Sequence, residues 1–149
     1  MMIHSGKSRW YLLIASVLLL AGIWPVETQS APDWSVCVVD ESNNPVSRIL
    51  VRESYKNYSA EWQGHEEDLF TDASGCVRFA PKAVRSSLAK RLAVIFTSAL
   101  GGVHASFGPY DYVIAFSGNL RGDDIKGGYE YAWKGTPSRV DSLLVLRSH

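Results

Sequence analysis

Four consecutive residues, His65, Glu66, Glu67 and Asp68, form the densest group of possible metal ligands in the sequence, and Asp72 follows closely. Carboxylate oxygens are the ligands that hard cations such as Ca²⁺ prefer. The segment nevertheless lacks both the ligand spacing and the glycine that would shape a coordination loop. The sequence therefore favours a solvated acidic loop, and we predict neither a metal ion nor a cofactor.

The spacings that are typical of catalytic sites are missing from the sequence. It contains no Ser/His/Asp spacing, no phosphate-binding glycine loop and no zinc-ligand spacing. His104 lies in an apolar context, where a hydrogen-bonded structural histidine is the expected role. We therefore predict a chain with no catalytic residues.

Three aromatic residues, Tyr55, Tyr58 and Trp62, lie in a polar segment that has no hydrophobic period. Rings in such a segment are hard to place in a core, and loops frequently carry binding residues. Since Tyr and Trp are enriched at binding hot spots, we predict that these three residues contact a partner.

A second aromatic group, Tyr129, Tyr131 and Trp133, alternates along the sequence and would share one face of a strand. Such a face could be a platform for sugar rings. Aromatic residues also favour strands and bury a large area, so a core position is the more frequent role.

The first 30 residues have the pattern of a secretory signal peptide. Lys7 and Arg9 precede an apolar run from Tyr11 to Trp24, which is short for a membrane span of about 20 residues. Ser30 is small enough to precede a cleavage site, so we predict a cut between Ser30 and Ala31. An uncleaved anchor is the alternative. The pattern predicts a secreted or periplasmic protein of a bacterial cell envelope.

Charge and length limit the function of the remaining chain. Residues 31–149 hold 13 Lys and Arg and 14 Asp and Glu, too balanced for a nucleic-acid surface. We therefore predict no nucleic-acid partner, and membrane contact only transiently through the signal peptide. At this length the segment can form one domain with a core of its own.

Short β-branched and alternating runs predict about seven strands. A polar segment over 55–68 is predicted to be a long loop or an irregular hairpin, and 119–128 a Gly- and Asp-rich loop. The predicted strands cover 34–39, 47–54, 76–80, 103–107, 110–117, 129–133 and 142–147.

Residues 82–100 contain no Gly or Pro and end at Gly101, which favours a helix. A strand over 91–97 is the alternative. The helix is expected to pack on the sandwich through one apolar stripe. That stripe comprises Val84, Leu88, Leu92, Ile95 and Ala99.

The first half of the domain resembles the carboxypeptidase regulatory-like family, which belongs to the transthyretin-like sandwiches. The family pattern is a strand ending in Asp, then Pro-Val, a second strand, Thr-Asp-x-x-Gly and an alternating apolar run. Here the pattern covers about 31–80. The matching segments are Val36-Cys-Val-Val-Asp40, Pro45-Val46, Thr71-Asp-Ala-Ser-Gly75 and Val77-Arg-Phe79.

The resemblance implies an all-β, Greek-key β-sandwich with one helical insertion over residues 31–149. Modules of this family are mostly non-catalytic and bind partners or pack beside other domains. Hydroxyisourate hydrolases share the sandwich, but they place a histidine three residues before the first-strand Asp. Here that position is Cys37, which cannot replace an imidazole as a proton shuttle near neutral pH.

The resemblance also implies a disulfide between Cys37 and Cys76. In the family pattern Val38 and Val77 point into the core, so the neighbouring cysteines point outward. The two strands are neighbours in one sheet of such sandwiches, within the Cα separation of about 4.4–6.8 Å that a disulfide spans. An exported chain meets the oxidising conditions in which the bond persists.

Together these observations predict an exported, non-catalytic β-sandwich module with a binding or structural role and a protein or glycan partner. A carbohydrate-binding sandwich is the second hypothesis, and a transthyretin-superfamily hydrolase is the third.

Overall fold

A computed structural model describes residues 5–117, 120–121 and 132–146. Those residues form two α-helices, nine strands and one short 3₁₀ helix, Gly102–His104. The helices are α1 (Ser5–Ile23) and α2 (Leu88–Ala99). The strands are β1 (Pro25–Ala31), β2 (Asp33–Val39), β3 (Leu50–Asn57), β4 (His65–Phe70), β5 (Cys76–Phe79), β6 (Lys82–Ser87), β7 (Pro109–Ser117), β8 (Leu120–Arg121) and β9 (Arg139–Val145).

The strands pair into three sheets, in the orders β5-β2-β9, β4-β3-β7-β8 and β1-β6. β2 and β9 run parallel, and all other neighbours run antiparallel. The first two sheets share one hydrophobic core. The predicted β-sandwich is therefore confirmed.

Alternation along the strands explains the core. Trp34, Val36 and Val38 of β2 are fully buried, because successive side chains of a strand point to opposite faces. The indole NH of Trp34 donates to the hydroxyl of Ser142 at 2.9 Å, so this large ring is buried with its polar atom satisfied. The other core residues are Ile49, Val51, Phe79, Val113, Ala115, Trp133, Leu144 and Leu146.

The Thr-Asp-x-x-Gly segment holds the turn between β4 and β5. The hydroxyl of Thr71 accepts a hydrogen bond from the Ile49 amide at 2.9 Å and donates to the Val46 carbonyl at 2.8 Å. The carboxylate of Asp72 accepts from the Cys76 amide at 3.1 Å. These residue types are thus explained by backbone hydrogen bonding, as in other Asx turns.

The predicted disulfide is present. Cys37 of β2 lies directly opposite Cys76 of β5, and a bond joins their sulfur atoms across a Cα separation of 4.0 Å. Val38, next to Cys37, and Phe79, three positions after Cys76, are fully buried, and both point to the opposite face from the cysteines, so the bond lies on the side of the sheet away from the core.

Several predicted strand boundaries were wrong. The second strand begins at Leu50, not at residue 47, because Arg48 has a positive φ of 59° that interrupts an extended backbone. Residues 55–57 continue β3, and 65–70 form β4. Of the two predictions for 55–68, the hairpin is therefore confirmed and the long loop is wrong.

Two further strands were predicted in the second half of the chain, at 103–107 and 129–133. Residues 103–107 contain no strand, because Gly102–His104 is a 3₁₀ turn that leaves His104 exposed. The predicted structural histidine is therefore wrong. Of the strand over 129–133, residues 129–131 lie outside the described residues, whereas Trp133 is buried in the core and bridges to Asp111.

The predicted helix over 82–100 was wrong in its first turn and a half. Residues 82–87 form β6 instead, where they pair with β1. The helix begins after Ser87, whose hydroxyl accepts from the Lys90 amide at 3.2 Å as an N-cap. The alternative strand over 91–97 is excluded, because this segment is helical.

The helix packs on the opposite face from the one predicted. Val94, 1% exposed, is its buried residue, whereas Leu88 and Leu92 are 52% and 59% exposed. Ile95 is also exposed. The stripe is apolar as the spacing indicated, but it points away from the sandwich.

The N-terminal segment is helix α1 followed by strand β1. Among the described residues, no helix combines the length and the apolar character that crossing a membrane requires. Ser30 and Ala31, the predicted cleavage residues, lie at the buried end of β1, with 2% and 0% exposure.

Candidate functional site

The turn between β3 and β4, residues 58–64, carries two of the three predicted contact residues. Buried Asn57 and Glu61 hold its base. The carboxylate of Glu61 accepts from the Asn57 amide at 2.7 Å, and its second oxygen lies 2.7 Å from the His65 ring. These contacts hold the start and the end of the turn, between which Tyr58 and Trp62 lie.

Tyr58 and Trp62 define what we call the aromatic surface. Trp62 is 55% exposed, and its indole NH donates to the Thr97 hydroxyl of α2 at 3.3 Å. The ammonium of Lys56 lies 4.7 Å from the Tyr58 ring centroid, and that of Lys90 lies 5.6 Å from the Trp62 ring centroid. The two rings are thus oriented, reachable and flanked by positive charge.

An open cleft of about 560 Å³ adjoins Tyr58. Two further rings, Phe107 and Tyr110, contribute to its wall. The remaining lining residues are Ser106, Gly108, Pro109 and Lys134. The cleft is open to solvent, and its wall combines rings with polar groups.

Tyr55 lies apart from the other two predicted contact residues. It points to the inner side of β3, where its ring stacks on His65 with the centroids 5.2 Å apart. Both rings line a second cleft of about 440 Å³, which Glu61 and Lys82 also border. The structure therefore divides the predicted set, because Tyr55 and Tyr58 fall on opposite sides of the hairpin.

Sequence reasoning missed a pair of buried carboxyl groups beneath β1. Glu53 of β3 and Asp111 of β7 are both 0% exposed. No hydrogen bond of ordinary geometry from the described residues reaches any of their four carboxyl oxygens. A proton held by one carboxyl is the donor that the other can accept, and such a pair avoids two adjacent buried charges.

The pKa values of both acids are raised. Burial raises the pKa of Glu53 to about 7. Burial, followed by the charge of Glu53, raises the pKa of Asp111 to about 9. Because the two groups titrate together, the raised pKa values mean that the pair holds a proton at neutral pH.

Polar contacts surround this acid pair. The ammonium of Lys82 pairs with Glu67 at 2.5 Å, and Glu67 lies directly opposite Glu53 in the sheet. The Ser86 hydroxyl is buried with no hydrogen-bond partner among the described residues. The inner face of β3 thus changes from apolar at Val51 to polar at Glu53, and the β1-β6 ribbon covers the polar half.

The acid pair could donate and accept protons as a general acid and base do, but solvent and substrate do not reach it. Because both side chains are fully buried, neither carboxyl is open to a substrate in this structure. Sequence reasoning could have found the pair, since Glu53 is in phase with Val51, and Asp111 is in phase with Val113. The signal is weak because single acids in strands usually face solvent.

Strand alternation divides the acidic run 65–68 between the two faces of β4. Glu66 and Asp68 turn to the outer face, where both pair with Arg52 at 3.1 Å and 2.7 Å. His65 and Glu67 turn to the inner face. Over residues 5–117, 120–121 and 132–146, no group of three acidic, His or Cys side chains could hold a metal ion.

Comparison with known proteins gives little further information. No protein-family model and no curated protein sequence matches the chain. Among solved structures, the chain is similar to the crystal structure of 3-chlorocatechol 1,2-dioxygenase from Rhodococcus opacus 1CP, with 14% identity and a TM-score of 0.45. The match covers 96% of this chain and 83% of the dioxygenase chain. At this TM-score the likeness carries no statement about activity.

Proposed function

We propose that this protein is an exported, non-catalytic binding module that meets its partner through the aromatic surface, Tyr58 and Trp62. One observation carries the proposal. Trp62 is more than half exposed, although a hydrogen bond to Thr97 and a neighbouring lysine hold the ring in place. A large ring that is both ordered and exposed is typical of binding hot spots.

Two structural features support the other parts of this proposal. The Cys37–Cys76 disulfide suits an oxidising compartment outside the cytoplasm, which agrees with the predicted signal peptide. The hydrogen bonds of Thr71 and Asp72 give structural roles to the residues on which the resemblance to carboxypeptidase regulatory-like modules depends. A hydrolase is disfavoured, since Cys37 occupies the position of the expected histidine and is bonded to Cys76.

Crosslinking in the producing cell tests the binding role. A photoreactive amino acid at position 62 should capture one partner, and the same amino acid at position 70 should not. Phe70 is the matched control because its ring is also well exposed, at 66%, but it lies on β4 away from the turn. The captured partner should bind the purified protein, and Trp62→Ala should weaken that binding at least about tenfold, as hot-spot rings do. Equal capture from both positions would contradict the proposal.

A glycan is the second candidate ligand, favoured by the cleft beside Tyr58. Its rings can stack on sugar faces, and Lys134 can contact an acidic sugar. Retention on a glycan array that is lost in Tyr58→Ala and kept in Phe70→Ala would support this ligand. Failure of the wild-type protein to bind any arrayed glycan would leave a protein as the partner.

A further inference from the structure

Three lysines border the aromatic surface without an acidic partner among the described residues. The Lys56 ammonium donates to the Trp62 carbonyl at 2.8 Å and lies 4.7 Å from the Tyr58 ring centroid. The Lys90 ammonium lies 5.6 Å from the Trp62 ring centroid. Lys134 is exposed on the wall of the cleft beside Tyr58. Positive charge without a counterion is thus gathered around the two rings.

Elsewhere in the domain, most of the described basic side chains are neutralised. Each of the following lies within 4 Å of an acidic oxygen: Arg52, Arg78, Lys82, Arg85 and Arg139. The guanidinium of Arg91 donates to the Val26 carbonyl of β1 at 2.9 Å. Arg48 is exposed and also lacks an acidic partner in this part of the chain, but it precedes β3, whereas the turn follows β3. The unpaired positive charge is therefore concentrated beside the aromatic surface.

The acids closest in sequence to the turn are already engaged. Glu61, the acid of the turn itself, is buried, and its carboxylate accepts from the Asn57 amide at 2.7 Å. Glu66 and Asp68 of β4 both pair with Arg52. Helix α2 has no acidic residue. The described residues therefore leave the three lysine charges for a partner to neutralise.

The positions of two ammonium groups favour a protein segment over a sugar as the acidic partner. A sugar that stacks on an aromatic residue needs a free ring face, but Lys56 lies over the Tyr58 ring and Lys90 over the Trp62 ring. An ammonium over a ring uses the negative ring face and keeps N–H donors for other acceptors. Because a lysine is a point charge on a flexible stem, it can follow single carboxylates along a peptide.

We propose that the partner of the aromatic surface presents an acidic protein segment, whose Asp or Glu side chains pair with Lys56, Lys90 and Lys134 around the two rings. This inference rests on the proposed binding role and specifies the chemistry of the partner. Complementary charge across an interface speeds association and disfavours wrong partners. The partner would thus be selected by local charge, although charge over residues 31–149 is nearly balanced.

An NMR titration of the full chain with two matched peptides tests the inference. One peptide alternates Glu and Leu, and the other has Gln in place of every Glu. The indole NH signal of Trp62, identified by its loss in Trp62→Phe, reports binding. At about 0.02 M salt the acidic peptide should bind at least about tenfold more tightly than the neutral peptide. The difference should shrink at about 0.3 M salt, where exposed charges are screened.

Variants that remove one charge locate the contact. Lys90→Gln should weaken binding of the acidic peptide about threefold and leave binding of the neutral peptide unchanged. Arg48→Gln is the matched control, because Arg48 is also exposed and without an acidic partner among the described residues but lies before β3. It should leave binding of both peptides unchanged. Equal affinity of the wild-type protein for the two peptides would overturn the inference, and so would equal weakening by the two variants.

Two further measurements separate this inference from its alternatives. Oligogalacturonate that binds more tightly than the acidic peptide would overturn the protein segment in favour of an acidic glycan. Photocrosslinking from position 62 is then repeated in a Lys90→Gln chain. Undiminished capture of the same partner would overturn the acidic contact and keep the binding role. Absence of capture in the chain with Lys90 intact would instead overturn the binding role itself.

Discussion

Cys37 and Cys76 lie opposite each other on β2 and β5 and are joined by a disulfide. The two cysteines are 39 positions apart along the chain. The bond therefore closes a loop that contains all of β3 and β4. In the chain-entropy description, such a crosslink destabilises the unfolded state and so stabilises the fold by about 3–4 kcal/mol.

The double substitution Cys37→Ser, Cys76→Ser should lower the free energy of unfolding by about 3–4 kcal/mol in urea titrations without reductant. Dithiothreitol should lower the stability of the wild-type protein similarly and leave that of the double variant unchanged. Equal stability of the two proteins without reductant would contradict the assigned role.

Gly75 and Gly102 share a left-handed backbone conformation but differ in the space around the Cα atom. Both have positive φ, 75° and 58°, but an added Cβ at Gly75 would meet the Val38 carbonyl oxygen at 2.8 Å, whereas at Gly102 it meets nothing within 4 Å. Gly102→Ala should therefore cost about 1 kcal/mol, the conformational part alone. Gly75→Ala should cost clearly more in the same unfolding assay, and equal losses would show that the close approach is relieved by relaxation.

The outward orientation of α2 predicts which truncation matters. Val94→Ala should lower the free energy of unfolding by about 1–3 kcal/mol, since the side chain is 1% exposed. Leu92→Ala should change it by less than about 0.5 kcal/mol, because Leu92 is 59% exposed. Thermal unfolding of the two variants measures the difference. A larger loss for Leu92→Ala than for Val94→Ala would instead support the packing that periodicity alone predicts, with Leu92 on the sandwich.

The acid pair predicts that stability falls as pH rises. The pKa of Glu53 rises on folding from 4.5 to about 7, and that of Asp111 from 3.8 to about 9. Because the folded protein keeps protons that the unfolded chain loses, the stabilisation is complete below about pH 4 and is lost as the pH rises towards about 9. Urea unfolding between about pH 5 and 9 measures this decline, above the range where other carboxylates titrate.

Asp111→Asn should flatten that pH dependence and stabilise the protein at about pH 8, because an amide does not ionise and can donate to the Glu53 carboxylate. Glu66→Gln is the control, since Glu66 is exposed on the outer face and should leave the slope unchanged. A wild-type stability that is constant over this range would show that both acids are solvated as ions.

The disulfide could be predicted because it depends on local rules and on one resemblance. Strand parity and an Asp-based turn fix where Cys37 and Cys76 point once the two strands are neighbours. The outward side of α2 could not be predicted, since spacing identifies an apolar stripe but not what covers it. Here the Arg91 guanidinium donates to the Val26 carbonyl of β1, a contact between residues distant in sequence.

The site was predicted only in part for a similar reason. Exposure of Trp62 agrees with the lack of a hydrophobic period in its segment, whereas Tyr58 is half-buried. The acid pair joins Glu53 and Asp111, which are 58 positions apart, and only the register of β3 with β7 brings them together. Sequence patterns describe each strand separately and contain no register.

Burial of Ser30 and Ala31 in β1 places the predicted processing step in competition with folding. A peptidase needs an extended, accessible peptide, whereas the folded ribbon withholds this bond through its pairing with β6. A cut there would also separate all of β1 except Ala31 from the domain, so β6 would lose its partner strand. The closed ribbon and the predicted cut are therefore alternatives for one chain, and whichever comes first excludes the other.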